Sequence, residues 1–547
     1  MTDGVMASGD LGNTPYVIVG LYLLLLLALG IIGYRKRQGE SEEDYFLAGR
    51  NQGWVVSSLT IMATFFSSFA LLGAPGMVYR DGIVFALFSL NVPVAGVAIY
   101  VFGARIRRIG RERGYLTPAD MIVDHYGSPV GLRLLVALVG LLYAVPYVVI
   151  QIQAGGILSQ QLFPGQHAFE TGACLLALIT MVYVAVGGMR SVAWTDVLQG
   201  GLLVAGMLLA GTAVVAVLGG PGAFFAAVAK LPPKSLSAPG TTGRWTPELL
   251  FTASLFASLG SMIQPAQWMR FYAARSNDVL RRSALIFAAV LTLCFFFGVM
   301  LVGLGGQVLY PLVDAAGAYL TTDAGAILPN PAVGQTPGEF DQILVVVLKN
   351  HLPDLLGPAG VVLATLILVA IMAAAMSTAD SNLHALSALI THDVYDQFVR
   401  PQASQRERTW VGRVLIAAVT VLALVLVLVG RRSASNPLGM IVILGLLAIS
   451  FSTQLLPMTV DMLYLRRGTR RGAIAGLITG LLLIFALSPF WSMVAGETFG
   501  GLLGSMKKMI DIGAWGLLFN TIIFAAVSWR DSHDPDADAG TRSQVES

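Results

Sequence analysis

Charge is scarce in this sequence. Only 12% of its 547 residues are Asp, Glu, Lys or Arg, and the mean hydropathy is +0.74. A soluble domain carries roughly a quarter charged residues, so a soluble enzyme of ordinary composition and a disordered chain are both excluded. Cysteine is nearly absent too. Cys174 and Cys294 both lie in apolar runs and read as small hydrophobes, which excludes a disulfide scaffold. The formal net charge of +3 is too small to hold a polyanion, and no nucleic-acid partner is expected. The apolar segments lack HExxH, GxSxG and clustered Cys/His pairs, and the six His are scattered, which counts against a membrane enzyme. They also lack period-2 alternation, which excludes an outer-membrane barrel. What remains is an all-α integral membrane protein.

A spanning helix needs about 20 mostly apolar residues. Thirteen segments qualify: 16–34, 54–79, 83–104, 131–160, 169–187, 193–218, 249–272, 283–306, 357–396, 411–430, 437–464, 472–490 and 511–529. The first is not a signal peptide, because only Asp3 and Asp10 precede it and Arg35-Lys36-Arg37 follow it. Thirteen spans with the N-terminus outside place 25 of the 34 Lys and Arg in cytoplasmic segments or at adjacent helix ends. The other nine are Arg80, Lys230, Lys234, Arg244, Lys349, Arg431, Arg432, Lys507 and Lys508. The expectation is a multi-pass protein of the cell membrane, surrounded by lipid, with its C-terminus in the cytoplasm. No segment outside the spans is long enough for a soluble output module, which weakens a sensor reading. Segment 340–352 is expected to form a helix over the outside face, and the acidic tail after Trp529 is expected to be disordered.

Polar groups inside a membrane are costly and mark pathways or packing. Span 54–79 holds Thr60, Thr64, Ser67 and Ser68 and then Gly73-Ala74-Pro75-Gly76. Span 249–272 holds Ser254, Ser258, Gly260 and Ser261 and then Gln264-Pro265-Ala266-Gln267. Small residues also serve close helix packing. Two interrupted helices five spans apart, however, are the pattern of inverted repeats broken at a midplane binding site. Span 357–396 places Ala374, Ser377, Ser381 and His384 on one helical face with Thr378 and Asp380 beside it, and hydroxyls with unwound carbonyls suit a hard cation such as Na⁺. Asp380 could instead be a structural hydrogen-bond acceptor, and His384 reads as a satisfied polar residue. Asp196 opens span 193–218, where it could cap the helix. Asp393 and Asp461 lie near helix ends and are expected to face headgroups or loops. No Lys or Arg is expected near the midplane site.

At these residues the sequence resembles the sodium:solute symporter family, whose members include sodium/proline, sodium/pantothenate, sodium/sugar and sodium/sialic acid symporters. The matching motifs are Y45-F-L-A-G-R50, G187-G-M-R-S-V-A-W-T-D-V-L-Q199, Q264-P-A-Q-W-M-R-F271, and M376-S-T-A-D-S-N-L383 leading to D393-V-Y395. The resemblance implies a five-plus-five inverted-repeat core with one helix before it and two after. That divides the chain into residues 1–53, a first repeat 54–218, an external loop 219–248, a second repeat 249–464, two peripheral helices 465–529 and a tail 530–547. It also implies Na⁺ ligands at Ala63 and Phe66 (carbonyls), Ala374 (carbonyl), and Ser377 and Thr378 (hydroxyls). A second cation site is implied at Asp196, Ser377, Asp380 and Ser381. Proline-type members carry an acidic residue where this chain has Phe65, and sugar-type members an aromatic gate where it has Gly260, which disfavours both solutes.

The solute site is expected where the broken helices meet, with Thr64, Phe65, Ser67, Ser68 and Phe69 from the first and Ser258, Ser261, Gln264 and Gln267 from the second. Gln264 could instead satisfy backbone groups freed by Pro265. The function so implied is Na⁺-coupled uptake, by a monomer, of a small organic solute such as a short carboxylate, an amino acid or a related acid. The alternatives are a proton-coupled carrier of the same fold or, with less support, a channel, a sensor or a membrane enzyme.

Overall fold

The computed structural model describes residues 11–35, 41–127, 130–163, 165–323, 325–336, 339–432, 441–488, 491, 506 and 509–533. The N-terminal residues 1–10, most of the tail expected to be disordered, and Lys507 and Lys508 lie outside these.

Nine helices among the described residues are long and apolar enough to cross a membrane, and three further pairs qualify if each bent pair is one span. In chain order they are α1 (Thr14–Arg35), the bent pair α2 (Trp54–Phe65) and α3 (Phe69–Asp81), α4 (Ile83–Arg113), α5 (Gly131–Leu162) and α6 (Ala168–Val217). Next come the bent pair α7 (Pro247–Ile263) and α8 (Pro265–Ala273), then α9 (Asn277–Leu309), α10 (Pro358–Val399) and α11 (Gln405–Arg431). The bent pair α12 (Ile441–Thr453) and α13 (Leu456–Leu465), α14 (Arg470–Leu487) and α15 (Ile512–His533) complete the bundle.

Straight, the 50 residues of α6 would span about 75 Å, more than twice the hydrocarbon thickness. It bends at Gly188, where φ is 61° and ψ −164°, and the segments 169–187 and 193–218 lie on either side. With α6 as two spans and each bent pair as one, the count is thirteen. α7 starts five spans after α2 among the described residues, so the two repeats run in opposite senses through the membrane. The lipid-facing surface is apolar: Leu21 and Leu24 of α1 and Leu482 of α14 are each more than 60% exposed.

One end of the bundle carries the long connections, including helix Pro221–Val228 and helix Ile343–Leu356. The other end carries most of the Arg residues, and there the acidic groups are tied to bases. Asp393 and Asp461 do not face headgroups. Asp393 is buried and paired with Arg133, and Asp461 accepts from Tyr126 Oη at 2.8 Å and from the loop amides of Arg467 and Gly468 at 2.9 Å. On the adjoining helix Pro118–Tyr126, burial pushes the Asp120 carboxyl up. The His392 hydrogen bond and charge, the Leu116 amide and Arg133 outweigh it and hold the group below the usual carboxylate range.

Candidate functional site

The first span breaks because Phe66 leaves the helical conformation, with φ −80° and ψ 106°. α2 and α3 then meet at 59°. The break frees carbonyls that a continuous helix would occupy, and the following amides find side-chain partners. Ser68 N donates to Gln151 Oε1 at 3.0 Å and Phe69 N to Ser67 Oγ at 3.1 Å. The freed carbonyls face α10. Thr378 Oγ1 lies 3.1 Å from Ala63 O and 3.0 Å from Phe66 O; Ser377 Oγ lies 3.1 Å from both Ala63 O and Ala374 O. Five oxygens from Ala63, Phe66, Ala374, Ser377 and Thr378 therefore converge in a region with no exposed surface. Such a cluster is the donor set a hard cation takes in place of its hydration shell.

The second span breaks at Gln264, whose ψ of 150° is the extended geometry that a following proline imposes. Pro265 opens α8 at the position where its missing N–H costs nothing, and α7 and α8 meet at 50°. Gln264 Oε1 accepts from Ala266 N at 2.9 Å, so its side chain does satisfy backbone freed at the break. Gln267 Nε2 donates 2.9 Å to Ile61 O, tying the second broken helix to the first, and its Oε1 has no partner among the described residues.

The other residues expected around the solute are also gathered here. Ser68 Oγ donates to Gln151 Oε1 at 2.8 Å, and Thr64 Oγ1 donates to Thr60 O at 2.7 Å and lies 3.1 Å from Ser381 Oγ. Phe65 stacks edge-on against Phe287 at 5.0 Å, and Phe69 lies 6.0 Å from Phe88. Ser258 and Ser261 bond back to Ser254 O and Ala257 O, four residues earlier in their own helix. At Gly260 a methyl group would fall 2.0 Å from Thr453 Oγ1, so α12 leaves no room for an aromatic side chain there.

One expectation is overturned: a base does stand in this region. Arg270 of α8 is 1% exposed. Its Nη2 donates to Asp196 Oδ2 at 3.1 Å and to Ser381 Oγ, and its Nε to Thr60 Oγ1 at 2.9 Å. Arg270 sits in the motif Q264-P-A-Q-W-M-R-F271, where composition counts it with the basic helix ends. Its spacing three residues after Gln267 is the signal that puts it on the inner face instead. Asp196 does not cap a helix: it lies inside α6 and accepts from Thr60 Oγ1 across the bundle. Asp380 Oδ2 accepts from Tyr183 Oη at 2.8 Å and Oδ1 from Ser381 Oγ at 3.1 Å. Asp196, Asp380 and Ser381 thus do come together with Ser377, which shares a bond with Ser381, but around a guanidinium. Gln151, Tyr183 and Arg270 are the members the sequence reading missed, and Thr60, noted there among the polar groups of its span, was assigned to no site.

The profile of the sodium:solute symporter family matches residues 45–480. The sodium/proline symporter of Salmonella typhimurium is 28% identical over 507 residues, covering 90% of this chain and 92% of that protein. The sodium/pantothenate symporter of Escherichia coli is 25% identical over 479 residues, covering 85% and 89%. Among solved structures, a Na⁺-coupled sialic acid symporter in a substrate-bound outward-open state superposes with a TM-score of 0.74 at 19% identity, over 95% of this chain and 98% of the other. That likeness confirms the fold: two inverted repeats of five spans, each opened by a broken helix. With a family profile over most of its length and a core of that architecture, the chain belongs to the sodium:solute symporter family.

Proposed function

We propose that Na⁺ binds among the oxygens of Ala63, Phe66, Ala374, Ser377 and Thr378, and that a small carboxylate or zwitterion enters the cell with it. Na⁺-coupled symport is the activity of the family. The observation that carries the ion site is the approach of two hydroxyls of α10 to within 3.0–3.1 Å of carbonyls freed at Phe66. Ala63 and Phe66 lie in the same unwound stretch as Thr64, Phe65, Ser67, Ser68 and Phe69, which we place around the solute with Ser258, Ser261, Gln264 and Gln267. Filling the ion site orders the geometry the solute needs, so each ligand tightens the other by the same factor.

The solutes in the relatives' names, proline, pantothenate and sialic acid, are all carboxylic acids. Phe65 and the packed Gly260 disfavour proline and sugars, which leaves short carboxylates, other amino acids and pantothenate-like acids. A thermal-shift screen of these solutes with and without Na⁺ tests the reading. A cognate solute at a hundred times its Kd stabilises by about 2.7 kcal/mol. The stabilisation should be larger with Na⁺ present, and Gln267→Ala should reduce it. Solute stabilisation that ignores Na⁺ would refute coupled binding.

We place the N-terminus outside the cell and the basic face in the cytoplasm, since 24 of the 34 Lys and Arg fall on that side once Arg270, buried in the site, is set apart. One chain supplies every ion and solute residue, and we read it as functional as a monomer. A cysteine introduced at Gly540, in a chain lacking Cys174 and Cys294, should resist impermeant maleimide in intact cells and react after lysis. Reaction before lysis would invert the topology.

A further inference from the structure

The ion and solute residues lie in the middle of the bundle. On the long-loop side a short segment, Glu339–Gln342, packs between three helices. On its α3 side, a methyl group at Gly76 would fall 2.8 Å from Phe340 O and 2.9 Å from both Asp341 N and Asp341 Oδ1. The Phe340 ring lies 5.9 Å from the Tyr79 ring and 5.9 Å from the Arg80 guanidinium. On its α5 side, Gln342 Oε1 accepts from Gln161 Nε2 at 2.6 Å. On its α12 side, Asp341 Oδ2 accepts from Ile441 N at 3.1 Å. Asp341 is fully buried and its Oδ1 has no partner among the described residues.

The buried Asp341 carboxyl touches the outer half of the first broken span and the start of α12 together, and so bridges two elements whose separation would open the proposed solute site toward this face. We propose that Asp341 is the positioning residue that latches this side of the transporter shut, and that protonation of its carboxyl strengthens the latch. The proposal rests on the placement of the solute site in the middle of the bundle, but its readout is a distance measured without Na⁺ or solute and fails separately from that assignment.

The groups facing Asp341 fix the sign. Arg80 of α3, itself paired with Asp81 at 2.8 Å, attracts its charge. Among the described residues, α12 presents the Ile441 amide to it. α5 presents the neutral Gln161 through Gln342. On its own segment, Glu339 is occupied with the Gln335 and Thr336 amides at 2.6 and 2.9 Å. Burial pushes the Asp341 carboxyl up to about 7, against the opposing pull of the Ile441 amide and Arg80. An open latch returns the group to water, where a carboxyl titrates near 3.9. The closed state therefore binds the proton more tightly. Closure is strongest below the open-state value and weakens as pH rises to about 7, by up to about tenfold in the closed-to-open ratio per pH unit, and is level above that.

Spin labels are placed at Leu87 of α4, which follows α3, and at Leu355 of helix Ile343–Leu356, which follows the Asp341 segment; these positions are 51% and 45% exposed. Their separation is measured by pulsed dipolar spectroscopy at pH 5, 6, 7 and 8 in nanodiscs without added Na⁺ or solute. In the otherwise wild-type chain a longer component should grow between pH 5 and pH 7 and level off above. Asp341→Asn, neutral at every pH, should hold the short separation throughout. Gly76→Ala, which wedges α3 away from Asp341, should show the longer one throughout. No pH response in the wild type, or the same response in Asp341→Asn, overturns the latch. Should Asp341→Asn fail to accumulate as a monodisperse protein, Gly76→Ala decides: a wild-type pH response retained in that variant overturns the proposal.

Discussion

Ser377→Ala and Thr378→Ala should each raise the Na⁺ concentration for half-maximal uptake by about ten- to a hundredfold while leaving the protein folded. Each substitution deletes one oxygen from a cluster of five that has no exposed surface, so water cannot readily take its place. A hydrogen bond to a charged group contributes about 1.5–3 kcal/mol, a reasonable scale for one ligand of a monovalent ion, and 1.4 kcal/mol is a tenfold change. Thr378→Ala should be the more severe, because Thr378 Oγ1 reaches both Ala63 O and Phe66 O whereas Ser377 Oγ reaches Ala63 O and its own helix at Ala374 O. Thr378→Ser restores the oxygen and should restore Na⁺ activation. The check is initial uptake in proteoliposomes against external Na⁺ once a solute is in hand, or Na⁺-dependent thermal stabilisation before that. Unchanged Na⁺ dependence in both alanine variants would remove the ion from this site.

The second large effect belongs to Arg270. Two carboxylates, Asp196 and Asp380, share a cluster with no exposed surface and one guanidinium. Removing one partner of a buried ion pair costs about 3–5 kcal/mol, because the charge left behind cannot recover its hydration. Arg270→Met should therefore lower stability by about that amount, and adding Asp196→Asn should recover much of the loss. We further propose that the second carboxylate of this cluster is met by a cation near Asp196 Oδ1, which has no partner among the described residues, the alternative being that one carboxylate holds a proton. The Hill coefficient for Na⁺ should then exceed one in the wild type and fall toward one in Asp380→Asn. A coefficient near one in both would leave Arg270 as the cation of that cluster and remove the second site. If Arg270→Met is as stable as the wild type, the guanidinium does not hold these helices together.

Much of the architecture is legible in the sequence, for simple reasons. Backbone polar groups in lipid must be satisfied within a helix, so each apolar run of sufficient length declares its own structure. Pro265 is a local breaker whose effect does not depend on partners, whereas the first span breaks at Phe66, ahead of Gly73, Pro75 and Gly76, which lie inside α3. Hydroxyls at 377 and 378 sit three and four residues beyond Ala374, and helical spacing alone puts them on neighbouring positions of one turn. The merged course of α6 past Gly188 shows the limit: a helix that turns back without a loop is visible as two apolar runs but not as one continuous element.

What only the tertiary structure decided is which long-range partner each buried polar group meets. Asp196 looks like a helix cap from its neighbours in sequence, yet its partners are Thr60 and Arg270, 136 and 74 positions away. Arg270 counts with the basic end of the bundle until α8 turns it inward, and Gln264 is drawn to Ala266 N next to its own break while Gln267, one turn on, crosses to Ile61 O. Composition and periodicity measure whether a side chain leaves water. They carry no term for the partner that then satisfies it, because that partner comes from another helix and is chosen by packing.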